Sequence, residues 1–199
     1  MQIRNISAKD NDTIDAIVSI HLSTFKGFFL TFMGKRFLKL MYRSYTEYKD
    51  SGILVAFDED NPVGFLAYSG DFSGLYKYMI KKRLIPFAWY SLGAFFRNPK
   101  IFMRLLRAFL KPSEVKRTEK YIELASIGVD PAIQSKGIGT KLIETLKSNI
   151  DFSKYAYITL ETDAVNNDAA NHFYQKNGFV IEREFETKEG RKMFEYRWS

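Results

Sequence analysis

The chain has no cysteine among its 199 residues. Disulfide bridges, zinc sites built on thiolates and catalysis through a cysteine acyl intermediate are therefore excluded. Only two histidines are present, His21 and His172, so a histidine-rich metal site is not expected either. We expect a protein that binds no metal, and the lack of disulfides favours a cytoplasmic location.

Long hydrophobic runs are also missing. The longest uncharged stretch covers residues 84–96, which is 13 residues, and it contains Pro86. A helix that spans a bilayer needs about 20 apolar residues. The first residues, MQIRNISAKDND, are polar and lack the hydrophobic segment of a secretory signal. With 46% hydrophobic and 27% charged residues, the composition is typical of a globular protein, and we expect one domain over residues 1–199.

Acidic residues are missing from one segment. Residues 72–113 contain none of the chain's 23 aspartates and glutamates but nine of its 30 lysines and arginines, so the formal net charge of +7 is concentrated there. Apolar periodicity predicts that this segment is helical, with breaks near Pro86 and Pro99. The nine cations are Lys77, Lys81, Lys82, Arg83, Arg97, Lys100, Arg104, Arg107 and Lys111.

Elsewhere, hydrophobic periodicity predicts alternating strands and helices. A first strand is followed by a helix from about Ile14, a phenylalanine-rich loop with the sequence FKGFFLTF, and a second helix from about Met33 to Tyr48. The whole order is βααββ, the basic helical insert at about residues 72–118, and then βαβαββ. A crossover helix between strands predicts a parallel pair, so the fold class is mixed α/β.

A glycine loop stands between a predicted strand and a predicted helix, in the sequence VDPAIQSKGIGTKLIETL at residues 129–146. Gly137 and Gly139 allow a close backbone approach, and the N–H groups at a helix start attract an anion. The spacing fits neither a Walker A loop nor a dinucleotide-binding fingerprint. By spacing alone, a phosphate site and an ordinary turn are about equally supported.

A second pattern lies on a helix near the C-terminus, where a polar row shares one face at positions i, i+3, i+4 and i+7. The small residue in this row opens a slot beside the helix, and the tyrosine offers a phenol at its end. On the opposite face, Ala169 and Phe173 are expected to face the core. Taken alone, the row also suits an amphipathic helix with a surface tyrosine. Its members are Asn167, Ala170, Asn171 and Tyr174.

Together, the stretches IGVDPAIQSKGIGTKLIETL and NNDAANHFYQKNGF resemble the two motifs of the GNAT family of N-acetyltransferases. The first is similar to the family's acetyl-CoA loop, Gln/Arg-x-x-Gly-x-Gly/Ala, and the second to its Asn-x-x-Ala-x-x-x-Tyr-x-x-x-Gly-Phe helix. The resemblance implies a mixed, mostly antiparallel twisted sheet with helices on both faces. It also implies acetyl-CoA as co-substrate, and direct acetyl transfer to a primary amine in a ternary complex. The basic insert departs from the family, which has a short turn there.

The resemblance implies a role for each motif residue. The strand ending at Val129 would pair with the pantetheine arm through its backbone, and the amide of Ile127 would polarise the thioester carbonyl. The glycine loop would hold the pyrophosphate, Asn167 would bind pantetheine, and Tyr174 would protonate the departing thiolate. The implied cofactor-binding residues are Ile127, Gly128, Val129, Gln134, Ser135, Lys136, Gly137, Ile138, Gly139, Thr140, Asn167, Ala170, Phe173 and Tyr174.

Glu123 is the candidate general base. It lies six residues before Val129, where the resemblance to the histone-acetylating branch of the family implies a catalytic glutamate. A glutamate titrates near pH 4.3 in isolation, so a raised pKa is required, and the apolar strand YIELASIGV would raise it. Two other readings stay open: a solvated or ion-paired glutamate, and an ordered water as the base.

The acceptor side is marked by His21 and by a phenylalanine cluster. We expect His21 to be a core histidine bonded to a backbone carbonyl rather than a catalytic group. The cluster either shapes an acceptor pocket or serves packing. Its members are Phe25, Phe28, Phe29 and Phe32.

The acceptor is predicted to be a small amine. An amino sugar, free or linked to a nucleotide, is the first choice because a cationic insert suits a phosphorylated substrate. Protein N-termini, lysines and polyamines stay open, although a cationic wall would repel polyamines. No nucleic-acid recognition motif is present.

The last predicted helix of the insert has a cationic stripe formed by Lys100, Arg104, Arg107 and Lys111. Its apolar side consists of Ile101, Phe102, Leu105, Phe109 and Leu110. Three uses stay open: binding an anionic acceptor, lying on an anionic membrane surface, and a solvated face whose apolar side packs on the domain or on a second subunit of a homodimer. The alternative function is a non-catalytic acyl-CoA-binding module that docks on a membrane or a protein partner through this insert.

Overall fold

The computed structural model describes residues 1–100, 102–103, 118–133, 136–187 and 190–199. Part of the predicted pyrophosphate loop and most of the last insert helix lie outside these residues. The residues concerned are Gln134, Ser135, Ile101, Arg104, Leu105, Arg107, Phe109, Leu110 and Lys111. The side chain of Phe29 is also outside the part of the chain that the structure describes.

The described residues form one seven-stranded sheet. Its strands are β1 (Gln2–Asn5), β2 (Ser51–Asp58), β3 (Asn61–Ser69), β4 (Tyr121–Val129), β5 (Tyr157–Asp163), β6 (Val180–Glu186) and β7 (Lys192–Trp198). Their spatial order is β1-β2-β3-β4-β5-β7-β6. Neighbouring strands are antiparallel except β4 and β5, which are parallel. The predicted mixed, mostly antiparallel sheet is confirmed.

The helices are α1 (Asn11–Thr24), α2 (Phe29–Met33), α3 (Lys35–Glu47), α4 (Phe72–Arg97), α5 (Ile138–Ser148) and α6 (Asp168–Lys176). The expectation of a plain loop at FKGFFLTF is wrong, because its second half forms α2. Gly34 ends this short helix with φ +92, a left-handed conformation that favours glycine, and thereby separates α2 from α3. No helix in the described ranges has the length and hydropathy of a transmembrane span.

Helices cover both faces of the sheet, as predicted. On the central strands, neighbouring residues alternate between two cores because successive side chains point to opposite faces. Val55 and Phe65 join the core under α1, α3 and α4, whereas Leu54 and Leu66 join the core under α5. The central strands are therefore apolar on both sides, which explains their near-continuous hydrophobic sequences.

The basic insert contains α4, which begins where the Asp71 carboxylate accepts a hydrogen bond from the Gly74 amide at 2.8 Å. Its backbone is non-helical at Arg83, three residues before Pro86, because a proline ring clashes with the preceding turn of a straight helix. The helix ends at Arg97, and its C-cap residue Asn98 is extended, as residues before proline tend to be. The predicted breaks near Pro86 and Pro99 are therefore confirmed.

His21 is buried between α1 and α3, with 2% of its surface exposed. Its Nδ1 lies 2.7 Å from the Tyr42 hydroxyl, so the expected backbone-carbonyl partner is wrong: α3 packs on α1 and brings a phenol to the ring. The Nε2 atom is buried and has no hydrogen-bond partner among the described residues. Burial lowers the pKa of His21 to about 4, which keeps the ring neutral at neutral pH.

This burial predicts a specific acid sensitivity. The folded-state pKa of His21 lies below the unfolded value near 6.5, so the stabilisation is complete above about pH 6.5 and is lost as the pH falls towards about 4. In urea unfolding, the loss of unfolding free energy between neutral pH and about pH 4 should be smaller in His21→Gln than in the wild type, by on the order of 3 kcal/mol. His172→Gln, which changes an exposed histidine, should behave like the wild type. Equal losses in His21→Gln and the wild type would contradict the prediction.

Candidate active site

The two parallel strands in the centre of the sheet separate along their length. β4 and β5 pair only from Tyr121 to Glu123, where the register ends at Thr159. Beyond this point β4 continues to Val129 along β3, while β5 continues to Asp163 along β7. A groove opens between the separated halves, and the backbone groups on this side of β4 are available to an extended ligand that adds as a strand.

The N-terminus of α5 adjoins this groove. Gly137 is its N-cap residue with φ +72, and the first intrahelical hydrogen bond runs from the Lys141 amide to the Gly137 carbonyl at 3.0 Å. The amides of Ile138, Gly139 and Thr140 therefore have no partner within the helix. Together with the helix dipole, they form a site suited to an anion.

The side chains of the glycine loop face different directions. Ile138 is buried in the core under α5, so it can contact a ligand only through its backbone. Lys136 and Gly137 are exposed, and a cation at residue 136 suits contact with a phosphate. The predicted contacts of Gln134 and Ser135 fall outside the described residues.

Gly139 is needed for close packing of α6 against the start of α5. A Cβ atom at this position would lie 3.0 Å from Cζ of Phe173 and 4.0 Å from Cδ1 of Ile127. Phe173 therefore packs between the helix start and β4, beside the groove. This position agrees with its expected place in the core, and its contact with the cofactor stays a prediction.

The prediction for Ala169 is wrong, because this residue is exposed. Residues two apart on a helix point about 200° apart, and Asn171 takes the inward position. Ala170 is half-buried and small, as the predicted slot beside the helix requires.

Two asparagines tie α6 to the end of β5. Asn167 donates hydrogen bonds from Nδ2 to the Thr162 hydroxyl at 2.7 Å and to the Asp163 carbonyl at 3.2 Å. Asn171 donates to the same carbonyl at 3.1 Å and accepts from the Tyr196 hydroxyl at 3.2 Å. Asn171 is thus a buried support for the helix, whereas the side-chain oxygen of Asn167 is available to accept from an N–H of a ligand.

Tyr174 packs among aromatic rings, with centroid distances of 5.8 Å to Tyr196 and 6.1 Å to Phe179. Burial, supported by the neighbouring Tyr196 phenol, raises the pKa of Tyr174 to about 12. Within the described ranges its hydroxyl has no hydrogen-bond partner. A phenol that keeps its proton at neutral pH suits the role of a proton donor.

A β-bulge places two polar side chains on the other face of β4. The register shifts between Ala67 and Tyr68 of β3, which puts one extra residue on β4. Ser126 then faces α3, where its hydroxyl lies 3.2 Å from that of Tyr42. Glu123 faces the same side, so a carboxylate and a hydroxyl flank the beginning of the groove.

Glu123 is half-buried and lies close to two phenols. Its negative charge contributes to raising the pKa of Tyr45 on α3 and of Tyr76 on α4, although burial is the larger cause for both. The surroundings of Glu123 therefore include two phenols besides the apolar strand residues Ile122 and Leu124. The insert itself supplies one of these phenols, so α4 reaches the predicted general base.

Sequence reasoning missed a hydrogen-bonded chain that leads to the groove. It runs from His21 Nδ1 to the Tyr42 hydroxyl at 2.7 Å and on to the Ser126 hydroxyl at 3.2 Å. Ser126 directly precedes Ile127, whose amide is the predicted oxyanion donor. The helical spacing of Tyr42 places it on the inward face of α3, but no local signal identifies its partners.

Part of the phenylalanine cluster lies at the end of β4. A Cβ atom at Gly128 would lie 2.9 Å from Phe65 and 3.4 Å from Phe25, so a glycine is needed beneath these rings. Phe28 is about half exposed and contacts Phe25 edge-on at 5.8 Å. Phe32 packs instead on the insert, where Arg97 lies over its ring. The first two phenylalanines are thus placed to form an acceptor wall.

The packing at Gly139 predicts a loss of cofactor binding. Gly139→Ala should weaken coenzyme A binding by about tenfold or more, because the added methyl group displaces Phe173 from the helix start. Isothermal titration calorimetry measures the effect. Gly93→Ala is the matched control, since a Cβ atom there would meet no side chain or other element within 4 Å among the described residues, and it should bind like the wild type. Unchanged affinity in Gly139→Ala would show that this contact does not shape the site.

Comparisons with known proteins identify the family and the fold. Residues 14–179 match the model of the Acetyltransferase (GNAT) family. The chain is 40% identical over 68 residues to the N-alpha-acetyltransferase RimI of Mycobacterium tuberculosis, a match that spans 34% of this chain and 40% of the relative.

Solved structures share the fold at low sequence identity. A GNAT-family protein from Desulfovibrio desulfuricans has a TM-score of 0.63 at 14% identity, with 100% of this chain and 98% of that chain covered. A protein from Bacillus anthracis assigned as a streptothricin acetyltransferase, in complex with acetyl coenzyme A, has a TM-score of 0.50 at 19% identity, with 78% and 66% covered. The family model spans most of the chain, and on this ground the chain belongs to the acetyltransferase (GNAT) family.

Proposed function

We propose that this protein transfers an acetyl group from acetyl-CoA to a primary amine by direct attack in a ternary complex. The observation that carries the proposal is the groove between β4 and β5, which adjoins the N-terminus of α5. A long thiol arm that ends in a diphosphate fits both features, because the arm needs strand-like backbone partners and the diphosphate needs N–H donors.

Each part of the co-substrate has a partner in this arrangement. The diphosphate binds the amides from Gly137 to Thr140 and the adjoining loop, and Lys136 adds a positive charge. The pantetheine arm runs beside β4 from Ile127 to Val129, and the side-chain oxygen of Asn167 accepts from one of its amides. The Ile127 amide then donates to the thioester oxygen and stabilises the charge that develops there during attack.

The amine approaches from the face of β4 that is covered by α1, α3 and α4. Glu123 accepts its proton directly or through a water, after which the neutral amine attacks the thioester carbon. The carboxylate and the nearby phenol of Tyr76 favour a cationic ammonium group in the ground state. Ser126 on the same face is placed to contact the acceptor.

Collapse of the tetrahedral intermediate breaks the bond between carbon and sulfur. Tyr174 donates its proton to the departing thiolate, so free coenzyme A leaves as the thiol, and the extra proton on the amide nitrogen is lost as Tyr174 regains one. Because the pKa of Tyr174 is raised to about 12, the hydroxyl is protonated throughout the physiological range. Proton donation of this kind contributes a factor on the order of 10² to 10⁴ in rate.

The acceptor is proposed only as a primary amine. The relatives differ in this respect: one is named for α-amines and another for streptothricin, so an amino sugar gains no support from them. Release of thiol from acetyl-CoA, measured with peptides, lysine, polyamines and amino sugars, identifies the class. Tight binding of coenzyme A without thiol release for any amine would favour the non-catalytic acyl-CoA-binding module instead.

Tyr174→Phe tests the proposed acid. Turnover should fall on the order of 10²-fold, with little change in the affinity for acetyl-CoA, because only the hydroxyl is removed. Steady-state kinetics and calorimetry separate the two quantities. Tyr90→Phe removes a phenol on α4 and serves as the control that keeps turnover. Retained turnover in Tyr174→Phe would assign the proton transfer to another group.

Glu123→Gln tests the proposed base through the pH dependence of kcat/KM. In the wild type, the rate should fall on the acidic side as the base is protonated, and this limb should disappear in the variant along with most of the rate. Glu144→Gln, which neutralises an exposed carboxylate on α5, should keep the wild-type profile. An acidic limb that persists in Glu123→Gln would identify water or another residue as the base.

A further inference from the structure

α4 exposes large apolar side chains in a regular row. Ile85 is 81% exposed, Trp89 68% and Phe96 75%, and Leu92 is also exposed. These four residues stand at i, i+4, i+7 and i+11, so they lie on one face of the helix and form a stripe about 16 Å long. We call this row the apolar stripe. Monomeric soluble proteins rarely expose such a contiguous surface without a binding role.

The opposite face of the same helix is anchored in the domain. Ala94 is fully buried, and Phe87 packs edge-on against Phe37 of α3 at 5.0 Å. Near the kink, Arg83 forms an ion pair with Glu47 of α3. The face of α4 opposite the apolar stripe therefore packs on the domain, and the apolar stripe faces away from it.

The charged residues that flank the apolar stripe within the insert are all cationic. Lys81 and Lys82 are exposed before its first residue, and Arg97 and Lys100 are exposed after its last. The sequence from residue 72 to 113 contains no aspartate or glutamate. Apolar and aromatic side chains flanked by lysine and arginine are typical of helices that lie in the plane of an anionic membrane surface.

We propose that the apolar stripe of α4 binds the surface of an anionic lipid bilayer, with the flanking cations on the lipid headgroups. A second copy of the chain fits less well, because a two-fold contact through this face would bring cations together without any acidic partner. A protein partner also fits less well. Protein interfaces carry about one hydrogen bond per 100–200 Å², and the stripe offers only the indole N–H of Trp89.

Membrane binding would orient the active site. Tyr76, which lies close to Glu123, is on the same helix nine residues before Ile85, and because the helix is kinked at Arg83 between them the two are at most about 14 Å apart along the axis. A bilayer bound to the apolar stripe would therefore lie near the amine side of the groove. The proposal concerns only binding to a membrane surface, and its test does not depend on whether the protein transfers acetyl groups.

Vesicle flotation with the full chain tests the proposal. Vesicles of phosphatidylcholine containing about one third phosphatidylglycerol should bind at least about tenfold more protein than pure phosphatidylcholine, and added salt should reduce this binding. The double variant Trp89→Ser/Phe96→Ser should bind about tenfold less to these anionic vesicles than the wild type does. Val180→Ser, which changes an apolar residue that is 65% exposed on β6, is the matched control and should bind like the wild type.

The charge contribution is tested separately. Lys81→Gln/Lys82→Gln should weaken binding to the anionic vesicles, whereas Lys9→Gln/Lys176→Gln, with the same loss of charge elsewhere on the surface, should have a smaller effect. Acetyl transfer to a soluble amine should be unchanged in the stripe and lysine variants. If the two lysine pairs had equal effects, binding would depend only on the net charge of the protein, and the proposed membrane-binding surface on α4 would be wrong.

Tryptophan fluorescence reports on the apolar stripe directly, because Trp89 and Trp198 are the only two tryptophans. In a Trp198→Phe background, the emission of Trp89 should shift to shorter wavelength with anionic vesicles and should be quenched by brominated lipids. In Trp89→Phe, the emission of Trp198 should not respond. A Trp89 emission that is already blue-shifted without lipid would show that the chain or a second copy covers the stripe, and would overturn the proposal.

Discussion

The structure depends on the point where β4 leaves β5, after the pair formed by Glu123 and Thr159. A parallel sheet normally satisfies the backbone groups of both strands along their full length. Here β4 stays paired with β3 and β5 stays paired with β7, but β4 and β5 no longer pair with each other. The resulting groove is bordered by strand backbone N–H and C=O groups that a ligand can bind. It begins beside Glu123, the carboxylate proposed as the base.

The elements around this groove serve to keep it open and to give its two sides different chemistry. The amides of Asn167 and Asn171 hold α6 against the end of β5, and Phe173 packs on Gly139 at the start of α5. These contacts form the side suited to a diphosphate and a thiol arm. On the other side, the bulge in β4 turns Ser126 towards α3, and the face proposed for the amine carries hydroxyls and a carboxylate.

The basic insert contributes to both the domain and its surface. Its first turns pack on α3 and bring Tyr76 to Glu123, while the helix beyond the kink at Arg83 turns an apolar stripe towards solvent. The proline that forces the kink is therefore also what allows the two halves to face different surroundings. The composition identifies the insert as cationic, but apolar residues form the larger part of its exposed face along α4.

The sequence alone determined the order of the strands and of the longer helices, the two motifs and the acetyltransferase family, because periodicity and glycine placement are local properties of the chain, but it missed α2. It also predicted a glycine turn before α5, where the structure has Gly137 in a left-handed conformation. Only the tertiary structure decided which face of α6 is inward, so Ala169 was misplaced. It also decided that His21 meets Tyr42 and that Glu123 lies among phenols, because these contacts join residues 21 to 84 positions apart in the chain. Contacts between residues far apart in the chain cannot be predicted from the local periodicity of the sequence.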